Sequence, residues 1–280
     1  MKHTVGFSGG IDSQACALWV RQNVPIEDVI LMNSDAGGNE HPLTTEFIRE
    51  YSERVFPVQT VTSIVADMGN YAAKKIAERG LKPDDPLTFG LLAELKGRFP
   101  SAMAQFCTEF VKMRPLRRLT NQLCPDGDFV RYAGIRRDES RRRRARQPVE
   151  YDDFFDCELR LPLLDWKKQQ CFDFVIAAGE PVNPLYSMGF KRVGCAPCIN
   201  SGKADILNWA QRFPEMIDKV RRWEQAVGRT YFFLPLDDGK TFGFVDRVVQ
   251  WSGTTHGGKQ MSLRVLQTPE ACESSFGLCE

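Results

Sequence analysis

The sequence predicts an α/β fold: a parallel, twisted sheet with helices on both faces, followed by a smaller cysteine-containing C-terminal region. Three observations carry this. The apolar runs "HTVGFS" and "DVILMNSD" alternate with the helix-period stretches "DSQACALWVRQ" and "HPLTTEFIREYSERV", an alternation that gives parallel strands joined by helical crossovers. A Gly-rich turn, "SGGIDS", joins the first strand to the first helix. From about residue 183 the periodicity gives way to clustered Pro, Gly and Cys in "NPLYSMGFKRVGCAPCINSGKAD".

Along the chain, "FPVQTVTS" reads as a third strand and residues 69–80 as a further helix. A long helical region spans about 101–123, and "DFVRYAGIRRDE" is a strand running into a charged loop. "LPLLDWKKQQCFDFVIAAG" is a strand end and another helix, two short helical segments follow residue 200, and the last 50 residues show no clear periodicity. A boundary near Asp165 divides the chain into regions 1–165 and 166–280. In parallel sheets ligands sit at the carboxyl ends of strands, and both Ser8 and Asp35 fall there.

Composition narrows the class. The 280 residues carry 37 Lys plus Arg against 36 Asp plus Glu, so any basic surface is local and whole-molecule charge favours neither nucleic acid nor membrane. No 18-residue apolar run or secretory signal is visible, and a cytoplasmic location is expected. Nine cysteines, an odd number, argue against a disulfide framework and leave metal binding, catalysis or burial.

A Gly- and Ser-rich turn entering a helix presents backbone N–H groups to an anion, phosphate above all. The Walker pattern needs a Lys after the glycines, and none follows here. Taken alone, the turn is also compatible with a plain connector in which Asp12 or Ser13 caps the helix. Arginines at a nucleotide site pair bidentately with phosphate oxygens. In "GIRRDESRRRRAR", Arg136 and Arg143 are the phosphate candidates, while Arg141, Arg142 and Arg144 are either a solvated face or a polyanion contact. Asp35 suits ribose hydroxyls, a metal or a turn. Cys195 and Cys198 form a C-x-x-C, which is half of a zinc site, a redox pair or a pair of cluster ligands. Cys16, Cys124, Cys157 and Cys171 fall in apolar or helical contexts and read as buried thiols.

"SGGIDS" resembles the PP-loop of the ATP pyrophosphatases, the adenine nucleotide alpha hydrolases. "NSDAGGNEHPLTTEFI", "GIRRDESRRR", "LPLLDW" and "NPLYSMGFKRVGCAPC" follow in the order of one branch, the 3′-phosphoadenylyl-sulfate (PAPS) reductase-like family, which includes the ATP pyrophosphatases of DNA phosphorothioation, and "FCTEFVKMRPL" resembles a further segment of it. The resemblance spans about residues 4–225. It aligns Asp35, Gly37, Glu40, Pro42 and Thr45 with one motif, Ala36 departing from a usual Thr, and Gly134, Arg136, Glu139, Ser140 and Arg143 with another. It implies that Ser8, Gly9, Gly10, Ile11, Asp12 and Ser13 cradle the pyrophosphate of ATP, with Asp12 helping to place Mg²⁺. Gly134, Ser140 and Asp35 complete the nucleotide site, with Arg136 and Arg143 beside Asp12 as catalytic groups. It implies further that Cys107 joins Cys195 and Cys198 in holding a [4Fe–4S] cluster. Thr108 stands where cluster-bearing reductases have a second Cys, so the fourth ligand is open, with Cys272 and Cys279 among the candidates.

Two enzyme readings follow. In one, ATP is cleaved to AMP and pyrophosphate to activate an acceptor for sulfur transfer; the acceptor is DNA, with tRNA as the alternative, and a cysteine desulfurase supplies sulfur. In the other, PAPS or adenylyl sulfate is reduced to sulfite. The intact first loop and the lack of the reductases' C-terminal E-C-G-L-H favour the first. A non-enzymatic zinc-binding nucleic-acid module is a third reading, and it leaves "SGGIDS" without a role.

Overall fold

A computed structural model describes residues 1–233 and 243–254. Cys272 and Cys279 lie outside the described residues. The chain opens with β1 (Lys2–Gly6), α1 (Ile11–Asn23), β2 (Val29–Ser34), α2 (Pro42–Arg54) and β3 (Val58–Val61). Pro42 at the first helical position and the His41 ring, whose Nδ1 accepts the Leu43 N–H at 3.1 Å, start α2. Between residues 62 and 105 lie α3 (Ala73–Glu78) and α4 (Phe89–Lys96). The helix expected over 69–80 is thus confined to the six residues of α3.

The long helical region is composite. It runs as α5 (Phe106–Thr108), a π turn (Glu109–Met113) and α6 (Arg114–Leu123), with residues 101–105 outside it. The Ser34 hydroxyl, at the end of β2, donates to the Val111 carbonyl at 2.8 Å, so a backbone oxygen of the π turn has a partner. Then follow β4 (Phe129–Tyr132), α7 (Arg141–Arg144), a hairpin of β5 (Val149–Asp152) and β6 (Cys157–Arg160), and α8 (Lys168–Ala177). Beyond residue 200 come α9 (Lys203–Arg212), α10 (Pro214–Val227) and α11 (Val245–Ser252). The last of these is a helix within the stretch where no periodicity was visible.

The sheet order is β3-β2-β1-β4-β6-β5. All neighbours are parallel except β5, which pairs antiparallel with β6 at the edge. The fold class is therefore as the alternation predicts, with an added edge hairpin. Helices α1, α2 and α8 bury one face against Val5, Leu31, Val130 and Tyr132. Met113 and Leu116 cover Met32, Val61 and Phe129 on the other. A separate core gathers α4, α9, α10 and α11 around Trp209, Tyr231 and Phe232. The two cores interleave along the chain, since α8 packs with the sheet and α4 packs with the C-terminal helices.

Strand order reverses at β1, so the crevice between the loops after β1 and β4 is the switch point where ligands bind. Gly134 makes the two loops touch: a Cβ there would stand 2.3 Å from the Asp12 carbonyl oxygen and 2.6 Å from its carbon. Backbone cannot swing aside as a flexible side chain can. Gly134→Ala is expected to cost about 1–3 kcal/mol in stability, more than a control such as Gly202→Ala, where a Cβ would meet nothing within 4 Å, read by thermal melts; an unchanged melt would refute this contact.

Candidate functional site

The first loop is held by its own hydroxyls. Ser13 Oγ donates to the Gly10 carbonyl at 2.8 Å and accepts the Ser8 N–H at 3.1 Å, and the Ser8 and Ser13 hydroxyls lie 3.1 Å apart. Gly9 takes φ +75°, the left-handed region glycine tolerates, with Thr44 and Ile48 close behind it. Gly10, at the start of α1, offers no side-chain cap, which leaves the helix N-terminus with N–H groups to present. One is taken: the Ile11 N–H donates to the Tyr186 hydroxyl at 2.9 Å. The amide of Asn183 donates to the Gly9 carbonyl at 3.2 Å and to Thr44 Oγ1 at 3.1 Å, and Thr44 donates to the Val193 carbonyl at 2.7 Å. That chain ties the loop to α2 and to the approach of the C-x-x-C. The hydroxyl involved is that of Thr44, not the Thr45 of the motif alignment, which faces the His41 carbonyl.

Asp12 and Arg136 meet across the switch point. Arg136 Nε lies 2.9 Å from Asp12 Oδ2, its Nη1 2.6 Å from Asp138 and its Nη2 3.9 Å from Glu139. Burial is the largest single influence and opposes the Arg136 charge, but Asp12 and then Asp138 together outweigh it and the guanidinium pKa is raised. Arg143 is buried and ion-paired with Glu139, while the Ser140 hydroxyl caps α7 by accepting the Arg143 N–H at 3.3 Å. The four charges of Asp12, Arg136, Glu139 and Arg143 thus form one connected line. Asp12 Oδ1 is buried and has no hydrogen-bond partner, and a carboxylate oxygen is the kind of donor a hard cation such as Mg²⁺ takes. Arg141, Arg142 and Arg144 are exposed on α7. Asp35 forms a turn, its Oδ1 accepting the Gly37 N–H at 3.0 Å. Gly37 has φ +65° and a Cβ there would stand 2.8 Å from the Phe89 nitrogen, so glycine is required.

Beside the loop, a pocket is lined by Phe7, Ser8, Met32, Asn33, Ser34, Glu40, Lys112 and Leu116. Burial pushes the Glu40 carboxyl up to about 8; Lys112 opposes this and Asp35 adds to it. The buried Lys112 comes from the π turn, a helix irregularity that recurs at functional sites. Its position within "FCTEFVKMRPL", the segment that nominated Cys107, was the available signal for it.

Cys198, Cys195 and Cys107 all bear electrostatically on Tyr231, whose phenol is held well above its ordinary pKa by burial and then by these thiols, against the Asn39 amide. Tyr231 is fully buried and donates to the Pro197 carbonyl at 2.7 Å. Glu224 accepts the N–H groups of Tyr231 and Val245, both at 2.7 Å, and so anchors Tyr231 to α10 and α11. The C-x-x-C loop pairs with the loop after β2: Glu40 bridges Cys195, and the Ala196 N–H donates to the Asn39 carbonyl at 2.8 Å. The Asn200 N–H points at Cys198 Sγ, 3.5 Å away. Lys219, pushed down to about 8 by burial, is near Cys195. The Lys96 ammonium over Tyr71, Phe110 and Phe106 steadies the segment that carries Cys107.

Three thiols within electrostatic reach of one buried phenol, with an N–H aimed at the Cys198 sulfur, match in residue type the ligands of an iron–sulfur cluster. Among the described residues, no group of three or more His, Cys, Asp or Glu is placed to hold a single metal ion; cubane ligands bind separate irons. The buried Asn39 amide lies against the Tyr231 phenol and works against the rise of its pKa. Cys16, Cys124, Cys157 and Cys171 are buried, as expected. Among the described residues no helix is long and apolar enough to cross a membrane.

Because folded Glu40 keeps its proton until about 8 and an unfolded Glu releases it near 4.5, the folded state binds the extra proton between these values. Stability of the unliganded protein should therefore fall as pH rises through that window, and Glu40→Gln should flatten the fall. Parallel pH–melting curves for the two proteins would refute it.

The profile of the phosphoadenosine phosphosulfate reductase domain matches residues 2–201. An uncharacterized 37.8 kDa protein of Escherichia phage 186 is 30% identical over 99% of this chain and 96% of its own length. The adenosine 5′-phosphosulfate reductase of Allochromatium vinosum is 26% identical over 58% of this chain, which covers 64% of that enzyme. Among solved structures, the PAPS reductase of Candida auris in its phosphate complex aligns with a TM-score of 0.47 and 17% identity, over 70% of this chain and 81% of that one. With the profile matched over most of its length, the chain belongs to the phosphoadenosine phosphosulfate reductase family.

Proposed function

We propose that the protein is an ATP pyrophosphatase: it cleaves ATP between the α and β phosphates to activate an acceptor for iron–sulfur-dependent sulfur transfer. An acceptor oxygen attacks the α phosphorus, the bond from that phosphorus to the bridging oxygen breaks, and pyrophosphate leaves with the electron pair. A sulfur nucleophile then displaces AMP. The observation that carries this reading is the complete Ser8–Ser13 loop at the uncapped start of α1, with Asp12 Oδ1 buried without a hydrogen-bond partner. In it, loop N–H groups bind the departing pyrophosphate, Asp12 holds Mg²⁺, and Arg136 offsets developing negative charge. Arg143 acts through Glu139, keeping Arg136 in line with Asp12. Asp35 sets the turn that bounds the nucleotide pocket.

Cys107, Cys195 and Cys198 would hold a [4Fe–4S] cluster, which supplies a redox-active, sulfur-binding centre when bound. The acceptor in this reading is a nucleic acid, DNA first and tRNA second, approached by the exposed arginines of α7; a cysteine desulfurase is the sulfur source. A second reading is favoured by the relatives named adenosine 5′-phosphosulfate reductase: reduction of a sulfonucleotide to sulfite.

Incubation with ATP and, separately, with adenylyl sulfate or PAPS together with a dithiol as the two-electron reductant separates the two. Pyrophosphate and AMP are expected; sulfite without pyrophosphate would establish the second reading. Asp12→Ala should lower pyrophosphate release by about 100-fold or more with iron content unchanged, and retained release would remove the loop assignment. Cys195→Ser should reduce iron per chain after anaerobic reconstitution while leaving the far-ultraviolet circular dichroism spectrum intact; an undiminished iron content would take Cys195 out of the ligand set.

A further inference from the structure

Another cavity lies toward the edge of the sheet formed by the β5–β6 hairpin. It has a volume of about 350 Å³, within the roughly 300–1,000 Å³ of small-ligand sites. Three aromatic residues line it: Trp19 of α1, Tyr132 of β4, and Trp166 at the approach to α8. Their rings are held in place. Trp19 lies against Tyr132 with centroids 6.5 Å apart, and Trp166 meets Phe174 edge-on at 5.2 Å. A cation joins them, for Arg160 also lines the cavity and donates to the Tyr132 hydroxyl, which lies 3.2 Å from His3 Nδ1. Val149 pairs across the hairpin with Arg160. Val149, Pro148 and Asp165 are exposed, so the cavity opens to solvent at this rim. Trp19 stands just over two turns into α1, about 12 Å along the helix from Ile11, which keeps the cavity apart from the Ser8–Ser13 loop.

The surroundings of the rim are basic. Nearby carboxylates are met by arginines: Asp165 by Arg137, Glu158 by Arg160 and Glu150 by Arg146. The loop that carries α7 is closed at its base against the cavity. There the Arg137 N–H donates to the Leu164 carbonyl at 2.9 Å, and Arg137 Nη2 donates to the Arg146 carbonyl at 3.1 Å. Arg141, Arg142 and Arg144 are exposed on that loop, and two residues beyond Arg146 the chain reaches the rim at Pro148. Rings that accept a flat π system, with guanidinium groups beside the mouth, supply the two halves of single-strand recognition: base stacking and backbone charge. An aliphatic or simple anionic ligand would use one half only. We propose that this cavity takes an unstacked nucleobase of a single-stranded nucleic acid whose phosphates lie along the arginines of α7. The inference rests on reading the acceptor as a nucleic acid, and it names how the strand is held.

The test uses the full chain and the fluorescence anisotropy of labelled oligothymidylate and oligouridylate, each against an abasic strand of equal length. The ratio of intact to abasic affinity cancels the phosphate contribution common to both. Wild type should favour an intact strand by about tenfold or more. Trp166→Ala should abolish that preference, and Trp166→Phe, which keeps a ring, should retain most of it. Should Trp166→Ala melt below the assay temperature, Val149→Glu at the exposed rim carries the same test, its carboxylate lowering the ratio. Arg141→Gln combined with Arg144→Gln should weaken intact and abasic strands alike, and reduce the slope of log affinity against log salt by about 0.7 per lost phosphate contact. Equal binding of intact and abasic strands by wild type, or an unchanged preference in the cavity variant, overturns the proposal and leaves the nucleic-acid acceptor standing. Displacement of the strand by ATP overturns it too, since it would place the base in the nucleotide site. Binding of no strand overturns the acceptor reading, and this inference with it.

Discussion

The buried ion pair between Asp12 and Arg136 is the contact on which the arrangement of the site depends. It joins the loop after β1 to the loop after β4 at the place where strand order reverses. A buried pair of this kind does little for net stability, because desolvation consumes much of its Coulomb attraction. What it does is fix direction. With one Asp12 oxygen committed to Arg136, the other is left buried without a hydrogen-bond partner, and Asp138 and Glu139 hold the remaining arms of the guanidinium. The absence of a side chain at Gly134 is what lets the two loops come close enough for this contact.

A second set of tethers extends the site toward the cysteines. Asn183 links the Gly9 carbonyl to Thr44, and Thr44 reaches Val193, two residues before Cys195. The loop after β2 lines the pocket beside Ser8 with Glu40 and pairs by backbone, through Glu40 and Asn39, with Cys195 and Ala196. One loop therefore touches both the pocket beside Ser8 and the C-x-x-C loop.

Much of this was legible in the chain. The strand and helix alternation before residue 61 is strongly periodic, and "SGGIDS" is legible because a turn that holds an anion tolerates few residue types. Other parts were hidden for physical reasons. The β5–β6 hairpin has only four residues in each strand, and its edge strand leaves Val149 and Tyr151 exposed, so no clear alternation marks it. The helix α11 is eight residues long in a Gly-rich setting. Glu40, Lys112, Asn39 and Tyr231 acquire their roles from burial and from partners far along the chain, which no local pattern encodes. The motif alignment pointed to Thr45, while tertiary packing uses its neighbour Thr44.

The π turn at Glu109–Met113 carries one more consequence. A regular helix repeats every 3.6 residues, whereas the wider turn offsets the side chains before it from those after it. Phe106 and Phe110 pack beside α4, Cys107 reaches the C-terminal core, and Met113 and Leu116 cover the sheet. One continuous segment thereby addresses three surroundings that a single helical phase would not align. The turn works as a vernier between the sheet and the thiol centre, and helix length in this segment is constrained to the single residue even where its side chains are open to change.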